Sequence, residues 1–138
     1  MYVEGSSNWS SDEDTANWEG VEVDGMGNIT KLTIIDNQII NLDSRLSSLE
    51  YLQKLTYSEF YSNVTDIPDV FEGLDSLTLL NICHNDINEL PSSILTLPSL
   101  ETLIFDETNI VLIPEELCLR SNAGQLSLKY DEEEAVCE

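Results

Sequence analysis

Apolar residues return at a near-constant interval along this chain. Leu32, Leu55, Leu80, Leu103 and Leu126 are separated by 23, 25, 23 and 23 residues. Two further tracks keep that beat: Ile29, Leu52, Leu77, Leu100 and Ala123, and Ile34, Tyr57, Ile82, Phe105 and Leu128. A unit of this length cannot bury its own apolar face and must stack on the next. The interval therefore predicts a solenoid whose core is a ribbon running through the units. At 138 residues the chain is one domain.

Each unit opens on the pattern apolar-x-x-Leu-x-apolar, as in Ile29-Thr30-Lys31-Leu32-Thr33-Ile34 and Leu77-Thr78-Leu79-Leu80-Asn81-Ile82. Alternation of that kind predicts a short strand with one buried face. One strand per unit at the same phase predicts a parallel sheet with rungs about 4.8 Å apart. Pro68, Pro91 and Pro114 recur at 23 residues and belong on the turn leaving the sheet, because proline fixes φ and donates no hydrogen bond. Leu46, Phe71, Ile94 and Leu117, followed three residues later by Leu49, Leu74 and Leu97, suit a return path of 3₁₀ or short helical turns. One unit is longer. The gap from Tyr57 to Val64 is seven residues where that from Ile34 to Ile39 is five, so residues 58–63 are expected to bulge from the ridge. Phe60 and Tyr61 then stand at the protrusion, unless Phe60 turns back into the core.

The expected organisation is a polar N-terminal cap over 1–28, four units plus a capping strand over 29–128, and an acidic tail over 129–138 that is too charged to pack. Twenty-seven acidic residues oppose five basic ones, for a net charge of −22. That balance argues against nucleic acid, which demands a basic footprint, and against anionic membrane surfaces. It suits a solvated acidic surface, a basic protein partner or divalent cations. No apolar run approaches the ~18 residues of a membrane helix, and residues 1–5 show neither a basic leader nor an apolar stretch. Cys118 and Cys137 flank the last strand and either form a disulfide or remain free thiols; spacing alone does not decide.

The unit Leu77-x-x-Leu80-x-Ile82-x-x-Asn85-x-Ile87-x-x-Leu90-Pro91-x-x-Ile94-x-x-Leu97 resembles the leucine-rich repeat pattern at every framework position. The resemblance implies an α/β solenoid, with a short parallel β-sheet on its concave face and turns, 3₁₀ or short helical segments on the convex side. It also implies that Asn37 and Asn85 tie the turns of adjoining coils, a role Thr108 and Ser62 fill less well. Asn8-Trp9, Trp18-Glu19-Gly20-Val21-Glu22-Val23-Asp24 and Gly27-Asn28-Ile29-Thr30-Lys31-Leu32 look like the cap of plant-type leucine-rich repeat proteins and of related bacterial and protist proteins. Ala16 and Val23 stand where that cap has cysteines, so Trp18 and Val23 must seal the first coil by packing. The short lead before Trp9 suggests a fragment of a longer protein or a reduced cap.

Outward strand residues then form rows. These are Lys31, Lys54, Leu79, Thr102 and Gln125; Thr33, Thr56, Asn81, Ile104 and Ser127; and Ile35, Ser58, Cys83, Asp106 and Lys129. Asp36, Glu59, His84, Glu107 and Tyr130 follow at the strand ends. The expected function is noncatalytic recognition of a protein or peptide by this face and the 58–63 loop. Ile35, Asp36, Glu59, Phe60, Tyr61, Leu79, His84, Ile104, Asp106, Glu107 and Tyr130 are the candidate contacts, with the carboxylates steering a basic partner. The alternative is an acidic spacer with no ligand of its own, in a larger surface or secreted protein. Weak self-association through the solenoid ends is a further expectation. A secreted or cell-surface setting is favoured over the cytoplasm.

Catalytic signals are thin. Cys83-His84 is a lone neighbouring pair, with no second histidine, phosphate loop, Gly-x-Ser-x-Gly or zinc spacing, and no cofactor is expected. Asp24-Gly25-Met26-Gly27-Asn28 reads as a turn between two strands rather than a calcium loop. Asn8, Asn28 and Asn63 begin Asn-x-Ser/Thr sequons, which matter only in a eukaryotic secretory setting.

Overall fold

A computed structural model describes residues 14–35, 42–58, 65–133 and 135–138. Its main feature is a six-stranded sheet ordered β1 (Val21–Val23), β2 (Ile29–Ile35), β3 (Lys54–Ser58), β4 (Leu79–Asn81), β5 (Thr102–Ile104) and β7 (Ser127–Lys129). β1 runs antiparallel to β2, and every later neighbour is parallel. β6 (Leu112–Ile113) and β8 (Val136–Cys137) make a separate two-stranded sheet. The whole is α/β with a mostly parallel sheet, an arrangement compatible with a solenoid.

Alternation along the strands decides what is inside. Leu32, Leu55, Leu80 and Leu103 pair across neighbouring strands and are at most 4% exposed. Ile34, Tyr57, Ile82 and Phe105 are buried beside them. The return path contributes Leu46, Phe71, Ile94 and Leu117 to the same core. It folds as 3₁₀ turns at Ser44–Ser48 and Ser92–Thr96, as the three-residue spacing predicts. Pro91 stands at the start of the second of these turns and Pro114 at the start of a helix one unit on, where their carbonyls accept from Ile94 and Leu117 and a missing N–H costs nothing.

Adjoining coils are laced by polar side chains. Asn85 is buried, and its Nδ2 donates to the Tyr57 carbonyl of the preceding coil at 2.9 Å and to Ile82 at 2.8 Å. Thr108, one unit on, reaches only its own coil, at the Phe105 carbonyl. Asp69 accepts from the Ser92 hydroxyl and the Ser93 amide of the next unit, so it caps a helical turn 24 residues away. Those bonds hold its carboxyl below the ordinary carboxylate range.

The N-terminal end is closed by the β1–β2 hairpin. Asp24 accepts from the amides of Met26 and Asn28 and from Asn28 Nδ2, which makes the 24–28 segment a turn. Gly20 lies so near β2 that a Cβ there would stand 2.5 Å from the Thr33 carbonyl oxygen, and its φ of +76° is in the left-handed region. Trp18 and Val23 are half-buried against the core, the packing the sequence assigns them.

The C-terminal end departs from expectation twice. First, the last strand pairs Leu103 with Leu128, not with Leu126, so the final rung is 25 residues on. The cause is the return path. Pro114 is followed by a full α-helix, α1 (Glu115–Asn122), where the previous unit has a five-residue 3₁₀ turn. The longer element consumes the two additional residues. Ala123, expected in the core, is exposed as a result, and Gln125, Ser127 and Lys129 each leave the row assigned to them. Second, the tail does pack. Ala135 is 5% exposed, Val136 and Cys137 pair with Leu112 and Ile113, and Cys118 is joined to Cys137 by a disulfide. Backbone pairing and a covalent bond overcome the charge repulsion that argues for a loose end.

Candidate functional site: the outward strand face

With the register corrected, the outward rows read Lys31, Lys54, Leu79, Thr102, Ser127 and Thr33, Thr56, Asn81, Ile104, Lys129. Five strands spaced by about 4.8 Å give a face roughly 20 Å along its axis. Leu79 and Ile104 sit on adjacent strands one outward step apart, both half-buried. Lys31 is ion-paired with Glu22 at 2.8 Å, which lowers the Glu22 carboxyl through that hydrogen bond. Lys54 lies beside it on β3.

The third row begins with Ile35, 44% exposed and paired with Ser58. Ser58 is buried, and the Cys83 thiol approaches its hydroxyl at 3.9 Å. Burial pushes the Cys83 thiol above its ordinary pKa, and the Asp106 carboxylate adds to the rise. A thiol in that state is a poor nucleophile at neutral pH.

His84 and Glu107 lie three residues past β4 and β5 at equivalent positions, with φ of 57° and 52°. Two amides hold these bends: that of His84 donates to the Asp106 carbonyl, and that of Glu107 donates to the Asp131 side chain at Oδ2, 2.7 Å away. Left-handed backbone costs about 1 kcal/mol or more for a residue with a Cβ, so both turns hold some strain. Asp86, Glu107, Asp131, Glu132 and Glu133 rim an open basin of about 620 Å³ beside them.

The face therefore gathers Ile35, Leu79, His84, Ile104, Asp106 and Glu107. Tyr130 is placed otherwise. The two-residue lag brings its ring onto buried Phe105, with centroids 5.3 Å apart and planes within 7°, so it extends the core instead of ending an outward row. Asp36, Glu59, Phe60 and Tyr61 lie outside the described residues, as does Asn37. Sequence reasoning missed Lys129 as the neighbour of Ile104 and Asp131 as the acceptor for Glu107. The available signal was Pro114-Glu115-Glu116 with Arg120 and Gly124, the marks of a full helix.

No family model matches the chain. Among curated proteins it is similar to the MAP kinase phosphatase with leucine-rich repeats protein 3 of Dictyostelium discoideum, 33% identical over 102 residues. That match covers 73% of this chain and 11% of the relative. It is 36% identical to human lumican over 96 residues, covering 67% and 28%, and 29% identical to adenylate cyclase of Schizosaccharomyces pombe over 105 residues, covering 75% and 6%. The chain thus spans only a minor part of each of these relatives. Among solved structures, a plant ice-binding protein aligns at 23% identity with a TM-score of 0.48, over 89% of this chain and 48% of that one. The described residues contain no helix long and apolar enough to cross a membrane.

Proposed function

We propose that this chain is a leucine-rich repeat module that binds a protein or peptide noncovalently through its outward strand face and residues 58–63. The observation that carries the reading is the in-register face itself, where Leu79 and Ile104, taken as an apolar centre, stand between lysines at one side and Asp106 and Glu107 just past β5. Apolar centres with polar rims are how protein interfaces concentrate binding energy. The similarity to a phosphatase named for its leucine-rich repeats supports the class of module. A basic partner fits the net charge of −22. The role is noncatalytic on this reading: the thiol of the face meets a serine hydroxyl and is held protonated. The Cys118–Cys137 bond favours a secreted or cell-surface setting, because disulfides persist in oxidising compartments.

The test is affinity capture with chemical cross-linking, comparing the wild type with Leu79→Ser/Ile104→Ser at low and high salt. A partner cross-linked to the strand face is expected, with roughly tenfold weaker binding by the variant and further loss in salt. Equal recovery by both proteins would mean the face is a solvated surface and the chain a spacer.

A further inference from the structure

We propose a second docking surface at the C-terminal end, formed by the open edge of β8 and the apolar strip Val111, Leu112 and Val136, whose occupant is an extended cationic segment of a partner protein. The two residues ahead of the apolar-proline step are Thr65-Asp66 in one unit and Asn88-Glu89 in the next, all polar and exposed. In the last unit they are Val111-Leu112, and these stay 57% and 52% exposed. Leu112 pairs with Val136, which is 57% exposed, so the strip continues across β6 onto β8. Single exposed aliphatics are ordinary; a contiguous strip that replaces the polar residues of the two preceding units is not.

Beside this strip lies backbone able to receive a strand. The amides of Val136 and Glu138 donate to Val111 and Ile113 on β6. The Cys137 N–H and C=O between them consequently point away from β6, toward the side where β8 has no neighbouring strand among the described residues. The disulfide to α1 holds that edge in place. An added strand placing aliphatic side chains next to Val136 would widen the strip and cover it. Charge selects the occupant. Glu115, Glu116 and Glu138 lie within four residues of the strip's segments in sequence and are exposed. Two copies at net charge −22 repel each other, whereas a segment alternating aliphatic and basic residues is attracted.

The probe is a fluorescein-labelled peptide of about eight residues alternating valine and lysine, a common strand length. It is titrated by anisotropy into the intact protein beside a threonine–lysine peptide of equal charge. The valine peptide is expected to bind about tenfold tighter, in proportion to the apolar area it covers. Leu112→Thr/Val136→Thr should erase that advantage, and Leu79→Ser/Ile104→Ser should leave it intact, which separates this surface from the strand face. Amide hydrogen exchange on the wild type should show peptide protection at 135–138, whatever the stability of the variant. Equal affinities for the two peptides, or protection on β2–β5 instead, would overturn the proposal. So would a wild-type dimer in sedimentation that Val136→Thr converts to monomer, since the strip's occupant would then be a second copy.

Discussion

The two ends of the main sheet are finished by different chemistry. At the N-terminus an antiparallel hairpin covers the first coil, held by the close approach of Gly20 to Thr33 and by the Asp24 turn. At the C-terminus a parallel strand pair carries the tail back under the last coil, a disulfide locks it, and Arg120 donates to the carbonyls of Leu97 and Leu100. One end is closed by backbone geometry and the other by a covalent bond. Units of a repeat array stabilise mainly their neighbours, so damage at one end should stay there.

The severest test of that contrast is Cys118→Ser/Cys137→Ser. Closing a loop across a separation of 19 residues is worth about 3 kcal/mol in the chain-entropy account. The melting temperature should fall, and amide exchange should rise at 112–113 and 135–138 while β1 and β2 keep their protection. Gly20→Ala comes next, at about 2 kcal/mol for the combined steric and left-handed backbone strain. Its exchange signature should be confined to β1 and β2; spreading into β5 and β7 would show the ends to be coupled.

Acid should act through Asp24 and Asp43 in the N-terminal half and through Asp69 at the 92–96 turn. The Asn28 side chain and amide lower Asp24, and the Arg45 side chain lowers Asp43 to about 2. A carboxylate depressed on folding contributes stability above its unfolded pKa, near 3.8 here, and loses it as pH falls through the folded value. Thermal melts should therefore weaken from about pH 4 downward, and Asp43→Asn should flatten part of that slope. Salt is the smallest effect. Screening the net −22 should raise the melting temperature by a few degrees between low and physiological NaCl, with little preference for either end.

Much of this architecture is legible in the sequence because period-two and period-23 signals are local and repetitive. Leu55, Leu80 and Leu103 are fully buried as their spacing requires. The last unit is misread because Leu126 falls on the beat and is buried, yet the strand partner of Leu103 is Leu128. Leu126 and Leu128, two residues apart, satisfy the same alternation, and only the length of α1 chooses between them. β8 is hidden for another reason. A run of carboxylates reads as solvated chain, and neither the backbone pairing of Val136 with Leu112 nor the distance between two cysteines is written in composition. The outward rows are legible as positions. Their partner is not, since complementarity belongs to a pair of surfaces.

The disulfide joins two residues of unequal exposure. Cys137 is exposed while Cys118 is 5% exposed. An incoming thiolate meets the Cys137 side first and must expel the Cys118 sulfur as an anion into an apolar interior, where a buried thiolate is disfavoured and leaves slowly. The bond is thus open to approach but reluctant to break, and the tail it secures should outlast brief exposure to mild reductants.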